Sequence, residues 1–366
     1  MARIEDYAPI VGQPIIDDLR LLAEKLEGKT VQHINSTAIG GGVAEILSRM
    51  VPLLKELGVN TTWDVIKGGE QFFEVTKKFH NALHGKKEDI GKKDFEIFME
   101  TSRQNVEELN AYGDIVFIHD PQPIAMIEKK NDNKWIWRCH IDVSDPDKEV
   151  WKFLHDFIIR YDASVFSSPS FSRELPIRQF LIPPSIDPLS DKNKELPEDV
   201  IDGVLDKFGI VPDKPIVTQI SRFDRLKDPI GVIDMYKKVK KYIDCQLILA
   251  GGGASDDPEG VQVLEEAKER AGKDPDIHIL LLPQNDIYIN ALQRASTVII
   301  QKSIKEGFGL TVSEALEVKA GRRLACRGHS AAGIPQIFRA ALQVDRRRGV
   351  CRKAAFEQPG VRQKAR

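Results

Sequence analysis

The chain has 366 residues, with 53 Lys and Arg against 55 Asp and Glu, which gives a formal net charge of -2 at pH 7. That balance gives no electrostatic case for a nucleic-acid partner, and the length points to two domains of ordinary size. Hydrophobic residues at 42% supply sizeable cores, but no apolar run is long enough to span a bilayer, and Met1-Ala-Arg-Ile-Glu-Asp-Tyr7 holds no apolar signal core. Cys139, Cys245, Cys326 and Cys351 form no CxxC pair and no metal-ligand spacing, so a reduced, cytoplasmic setting and no metal site are expected.

In chain order, Thr30-Val-Gln-His-Ile-Asn35 predicts a first strand. Ser36-Thr-Ala-Ile-Gly-Gly-Gly-Val-Ala44 follows, and then a helix to Leu57 with Ile46, Leu47, Met50, Leu53, Leu54 and Leu57 on one face. Strand, glycine loop and helix is the geometry in which backbone N–H groups meet a phosphate. The spacing is not GxGxxG, and no acidic residue stands where a ribose ligand is expected, which disfavours a nicotinamide dehydrogenase. Thr61–Ile66 predicts a second strand, and 71–83 and 94–112 predict helices. Asp114–Ile118 is a strand ending in His119-Asp-Pro-Gln-Pro123, and Trp135–Cys139 is another ending in His140-Ile-Asp142. Two strands that each deliver a histidine at the carboxyl end, with an Asp within two residues, mark a candidate site, because ligands of open parallel sheets sit beyond that end. A helix over 149–160 and a short strand over 163–167 precede the proline-rich Phe180–Pro188 stretch, and the linker is placed near 183–195.

A second alternating series begins with the strand Pro215–Ile220 and its sequel Ser221-Arg-Phe-Asp-Arg-Leu-Lys227. Helices are predicted over 230–242, 261–271 and 287–295, and strands over 246–250, 277–282 and 297–300. The last strand reaches Glu306-Gly-Phe-Gly-Leu-Thr-Val-Ser-Glu314, a strand-to-helix turn bracketed by two carboxylates. Thr311 and Glu314 also fit a capping box, with Thr at the N-cap and Glu three residues on. Two such series imply an α/β protein of two facing Rossmann-like domains with a ligand cleft between them. Arg222 and Lys227 follow a buried strand, opposite the glycine loop, and suit a diphosphate clamp. The chemistry that fits is cleavage of a bond to a phosphate leaving group, whose growing charge fixed cations stabilise.

Ser221-Arg-Phe-x-x-x-Lys227 with Glu306-x7-Glu314 resembles the retaining, nucleotide-sugar-dependent glycosyltransferases of family 4, which have the GT-B fold. Within that group, His33–Glu45, His119–Pro123 and Arg138–Asp142 resemble the trehalose synthases of the glycosyltransferring type, over about residues 5–316. The resemblance implies a hexosyltransferase joining NDP-glucose (UDP-, ADP- or GDP-) and glucose into α,α-trehalose with retention. It places Gly41 and Gly42 over the donor diphosphate, with Arg222 and Lys227 neutralising it and Gly40 and Ser221 among the donor-binding residues. Glu306 would hold glucose hydroxyls, Gly307, Phe308, Gly309 and Leu310 would contact sugar and phosphate, and Glu314 would bind the ribose. His140 would sit near the reacting sugar, with His119, Asp120 and Asp142 towards the acceptor glucose. No cofactor is required for this chemistry, Mg2+ is at most a stimulant, and a homodimer with no membrane or nucleic-acid partner is expected. The alternatives are a retaining trehalose phosphorylase, a transferase like sucrose-phosphate or glycogen synthase, and a nucleotide-sugar-binding remnant without turnover. The domains expected are 1–190 on the acceptor side, 191–316 for the nucleotide-sugar, and 317–366 as a basic tail.

From about Glu317 the composition changes, with no clear strand over 317–333 and Arg in place of Lys as the main basic residue. Asp345 and Glu357 are the only acids past residue 320. A shifted reading frame or altered C-terminus is the reading of this tail, which would leave the second domain incomplete and its sheet edge uncovered; a basic tail for an acidic partner is the alternative.

Overall fold

The computed structural model describes residues 2–252, 259–283, 285–318 and 323–326. The rest of the basic tail lies outside the described residues. A first parallel sheet holds β1 (Thr30–Asn35), β2 (Asn60–Val65), β3 (Ile115–His119), β4 (Lys134–Cys139), β5 (Ala163–Phe166) and β6 (Arg178–Leu181), in the order β2-β1-β3-β4-β5-β6. A second holds β7 (Ile216–Ile220), β8 (Gln246–Gly251), β9 (Ile277–Leu281), β10 (Val298–Gln301) and β11 (Arg323–Cys326), in the order β11-β10-β7-β8-β9, again all parallel.

Each sheet is covered by helices, as parallel sheets require, because crossovers return over the faces. The first core joins Ile34, Val116, Ile118, Trp135 and Trp137 to Phe72, Phe79, Phe98 and Leu154 of the flanking helices. The second joins Ile216, Ile220, Ile248 and Ala250 to Val204, Leu205, Ala291 and Leu292. Both strand orders reverse direction at one place, between β1 and β3 in the first sheet and between β7 and β10 in the second. Such switch points leave a crevice beyond the strand carboxyl ends. The loops after β1, β3, β4, β7 and β10 therefore converge, and these loops carry the candidate residues.

Several expectations are corrected. The Arg323–Cys326 segment, read as strandless, pairs in parallel with β10, Val298 opposite Arg323 through Gln301 opposite Cys326. Four residues with an Arg at the start carry too little pattern to be seen; the neighbouring apolar strand supplies the hydrogen bonds. Arg178–Leu181 pairs with β5 although all four residues are exposed, so it too has no burial alternation to show. The helices Gln13–Glu24 and Glu198–Phe208 are additions to the sequence reading. The helix after β1 starts at Gly41 rather than Ala44, and Ala44, Leu47 and Val51 are its buried residues. Among the described residues, no helix is long and apolar enough to cross a membrane.

Candidate active site

A cleft of about 980 Å³ lies between the two sheets, lined by loops from both. On the first side, β1 leads into Gly40, which takes φ +79° as the residue before the helix Gly41–Glu56. That left-handed turn is open to glycine at little steric cost. On the second side, β10 leads to the helix Leu310–Val318. A side chain at Gly42 would begin 3.2 Å from Leu310 Cδ1, so two helix starts face each other across the cleft. Each offers unpaired N–H groups and the positive end of a helix dipole. Together they make an anion cradle.

Arg222 and Lys227 add cations to this cradle, both lining the cleft after β7. Lys227 Nζ lies 2.5 Å from Glu306 Oε2, which also accepts from Gln301 Nε2 at 2.8 Å and Ser303 Oγ at 3.0 Å. Burial pushes the Glu306 carboxyl up, but the Lys227 ammonium and these hydrogen bonds outweigh it and hold it below its usual value. Glu306 is thus an ionised acceptor at neutral pH. The following residue, Gly307, lies against the other side of the cleft: a Cβ there would sit 1.9 Å from the His140 carbonyl oxygen. Only a residue without a side chain permits that approach.

Three histidines stand on neighbouring strands: His33 within β1, His119 at the carboxyl end of β3 and His140 just after β4. His33 is level with Phe117 in the β1–β3 pairing, and His119 with Arg138 in the β3–β4 pairing. Each histidine is therefore two residues ahead of the last. Because side chains alternate faces, an offset of two keeps all three on one face. His33 Nδ1 lies 3.0 Å from His119 Nε2, and His119 Nδ1 lies 2.9 Å from His140 Nε2. Asp120, at φ +64°, accepts the His140 backbone N–H through Oδ1 at 2.7 Å. Its role is to hold the loop that carries His140.

Burial pushes His33 down to about 4 and His140 to about 3, and His119 lies well below the usual histidine value for the same reason, with His140 and His33 adding repulsion. His80 and His84, with ring centres 4.5 Å apart and planes tilted by 44°, also line the cleft and are lowered by burial too. The fold thus holds these rings neutral, while the unfolded chain protonates them below about pH 6.5. A depressed histidine contributes stability above its unfolded value and loses it as the pH falls towards the folded one. Stability is therefore expected to fall by about 1.4 kcal/mol per pH unit for each histidine engaged, and the melting temperature to drop with it, between about pH 6.5 and pH 4. A flat melting temperature over that window, read by circular dichroism, would show the rings charged in the fold.

The candidate residues thus divide. Gly40, Gly41, Gly42, His119, Asp120, His140, Ser221, Arg222, Lys227, Glu306, Gly307, Phe308, Gly309 and Leu310 all line the cleft. Asp142 and Glu314 are not part of its lining. Asp142 is buried and paired with Lys305 across the cleft at 3.1 Å. Glu314 is 0% exposed, with Lys192 Nζ 2.7 Å from one oxygen and Gln293 donating to the other at 3.1 Å. The capping box is not formed: the helix begins at Leu310, and Thr311 Oγ1 instead donates to the Ile220 carbonyl at 3.3 Å. Lys192, which also pairs with Glu45 at 2.9 Å, was missed in the sequence because it lies in an aperiodic, proline-flanked stretch. His33 was missed as a partner of His119. A histidine between Gln32 and Ile34 in a strand otherwise buried from Val31 to Asn35 was the signal, but its meaning depended on strand register.

Two facing parallel α/β layers with an anion cradle between them define a GT-B glycosyltransferase. A trehalose-6-phosphate synthase structure shares this fold, with a TM-score of 0.66 at 14% identity over 87% of this chain and 90% of that one. Residues 33–173 match the family described as trehalose synthase, N-terminal domain, and residues 203–320 match glycosyl transferases group 1. The chain is 46% identical to a trehalose synthase of Thermococcus litoralis, over 86% of this chain and 78% of that protein. It is 28% identical to a trehalose phosphorylase of Pleurotus pulmonarius, over 91% of this chain and 52% of that protein. The chain belongs to the trehalose synthase family and is a hexosyltransferase of trehalose chemistry.

Proposed function

We propose that the chain transfers glucose from an NDP-glucose to free glucose, giving α,α-trehalose and NDP with the anomeric configuration retained. The observation that carries this reading is the convergence of two helix starts, Arg222 and Lys227 on one cleft. Such a cradle favours the charge that grows on a diphosphate as its bond to the sugar breaks. In this reading the bond from the donor's anomeric carbon to the phosphate oxygen breaks, and a bond to the acceptor oxygen forms on the same face. The acceptor's proton passes to the leaving phosphate. Gly41 and Gly42 donate to the diphosphate, and Glu306 accepts from glucose hydroxyls. The ribose meets the group formed by Glu45, Lys192 and, behind them, Glu314. Mg2+ would at most add to the positive charge already present. His119 and Asp142 act on the acceptor side by shaping the cleft wall rather than by direct contact.

The test is incubation of the full chain with UDP-, ADP- or GDP-glucose and free glucose. Equimolar NDP and trehalose, with both linkages α by proton NMR, is the expected result. Phosphate-dependent cleavage of trehalose without NDP turnover would replace this reading with a phosphorylase. Donor binding with no product would leave a nucleotide-sugar-binding remnant.

A further inference from the structure

The His33–His119–His140 chain has a direction. A neutral imidazole carries one N–H and one lone pair, so a row of three can be arranged in two ways. In one, His33 Nδ1–H donates to His119 Nε2, and His119 Nδ1–H donates to His140 Nε2. The proton of His140 is then on Nδ1. In the other, every bond is reversed, and His33 must carry its proton on Nε2. His33 is 2% exposed, and its Nε2 has no hydrogen-bond partner among the described residues. A buried N–H without a partner costs the full desolvation of the donor, and orphaned N–H groups are rarer than under-used acceptors. His33 is also stacked on Phe117 with ring centres 5.1 Å apart, which fixes its plane. His119 is 4% exposed and spends both ring nitrogens on its neighbours. His140 lines the cleft, and Nδ1 is the ring nitrogen it has left. The three rings bond in a row rather than converge on a point, and the described residues contain no metal-holding group of such side chains.

We propose that His33 and His119 are positioning residues that fix the proton of His140 on Nδ1, so that His140 meets its ligand as a hydrogen-bond donor and not as a base. Burial, which keeps all three rings neutral, maintains one proton per ring at working pH. The consequence for sugar chemistry rests on the glucosyl-transfer reading; the proton assignment does not. In that reading a fixed donor at His140 binds a sugar oxygen and cannot compete for the acceptor's proton, which is left to the leaving phosphate. The information that sets this donor is stored two strands away, at a residue that does not line the cleft.

The assignment is read directly from 15N-histidine-labelled protein at neutral pH, in a two-bond proton–nitrogen correlation spectrum that separates the two tautomers. His140 with its proton on Nδ1 is the expected pattern. A proton on Nε2 in the unaltered protein overturns the proposal, and no variant is needed for that decision. Two substitutions test the transmission. His33→Asn keeps an amide N–H close to the place of Nδ1–H, whereas His33→Leu fills the space without a donor. His33→Leu is expected to release His140 to the Nε2–H form and to lower kcat about tenfold with KM for the donor little changed. His33→Asn is expected to restore both the tautomer and most of kcat. A role in packing alone predicts the reverse order, with Leu the better replacement in a buried strand, and that order would refute the proposal. If the unaltered protein shows no glucosyl transfer, the NMR result still decides the proton assignment, so the two readings fail separately.

Discussion

Lys192→Met is expected to destabilise the protein by about 3–5 kcal/mol at neutral pH, the range for removing one partner of a buried ion pair. Lys192 stands between Glu45 and the fully buried Glu314. Burial alone would push its ammonium down, but the charges of Glu314 and Glu45 overcome this and raise it above its usual value. Glu45 is pushed the other way, raised by burial first and by Glu314 among its neighbours. Methionine matches the stem of lysine in volume, so the loss isolates the charge. Two carboxylates then face each other with only Gln293 donating to Glu314. A buried carboxyl in that state sheds its charge by taking a proton, so the deficit should shrink as the pH falls. Lys192→Met combined with Glu314→Gln should recover much of it, because the uncompensated charge is gone. Urea unfolding of the single and double variants measures both. A single-variant loss below about 1 kcal/mol would mean that water reaches this pair freely and that it behaves as a surface contact.

The same cluster explains what could be seen in the chain before its fold was known. β1 is bounded in the structure as in the sequence, and β7, β8 and β10 differ by a residue or so at their ends. These are strands buried on both faces, and the apolar runs of β7, β8 and β10 speak for themselves, whereas β1 buries Gln32, His33 and Asn35 beside Val31 and Ile34. The strand-end histidines His119 and His140 were legible for the same reason, since each breaks an apolar run at the place where ligands bind. Glu314 was legible as important but not in its manner. A capping box is local and can be read from four residues; a pairing with Lys192, more than a hundred residues away, cannot. Asp142 followed the same course, since its partner Lys305 comes from the opposite sheet's loop. The diphosphate clamp was read from Arg222 and Lys227 at the end of a buried strand, whereas the assignments to sugar and ribose came from likeness to a family. What the structure adds is that Glu306 arrives already bonded to Lys227, so in the proposed reading anion site and sugar site would share one ion pair.

That sharing gives the largest expected effect on activity. Arg222→Ala and Lys227→Ala should each weaken binding of the NDP-glucose that the chain uses by about 30- to 1,000-fold, the span expected for losing a desolvated charge contact of about 2–4 kcal/mol. The rate should fall further than the affinity, because the diphosphate carries more charge in the transition state than in the bound donor. The two variants should also differ from each other. Lys227→Ala leaves Glu306 with only Gln301 and Ser303 to hold its charge, beside the site of an incoming polyanion. Its loss of affinity should therefore be partly undone by Glu306→Gln, whereas Arg222→Ala should gain little from that second change. Calorimetric titration with UDP-, ADP- and GDP-glucose at low and high salt measures these terms, with plain NDP as the probe that lacks the sugar. A double-mutant cycle then separates the coupling of Lys227 with Glu306 from direct contact with phosphate. Unchanged donor affinity in both single variants would remove Arg222 and Lys227 from the diphosphate site and leave the two helix starts to bind the anion alone. A deficit in Lys227→Ala that Glu306→Gln fails to relieve would instead place the lysine's main contact on the phosphate, with its bond to Glu306 given up when the donor enters.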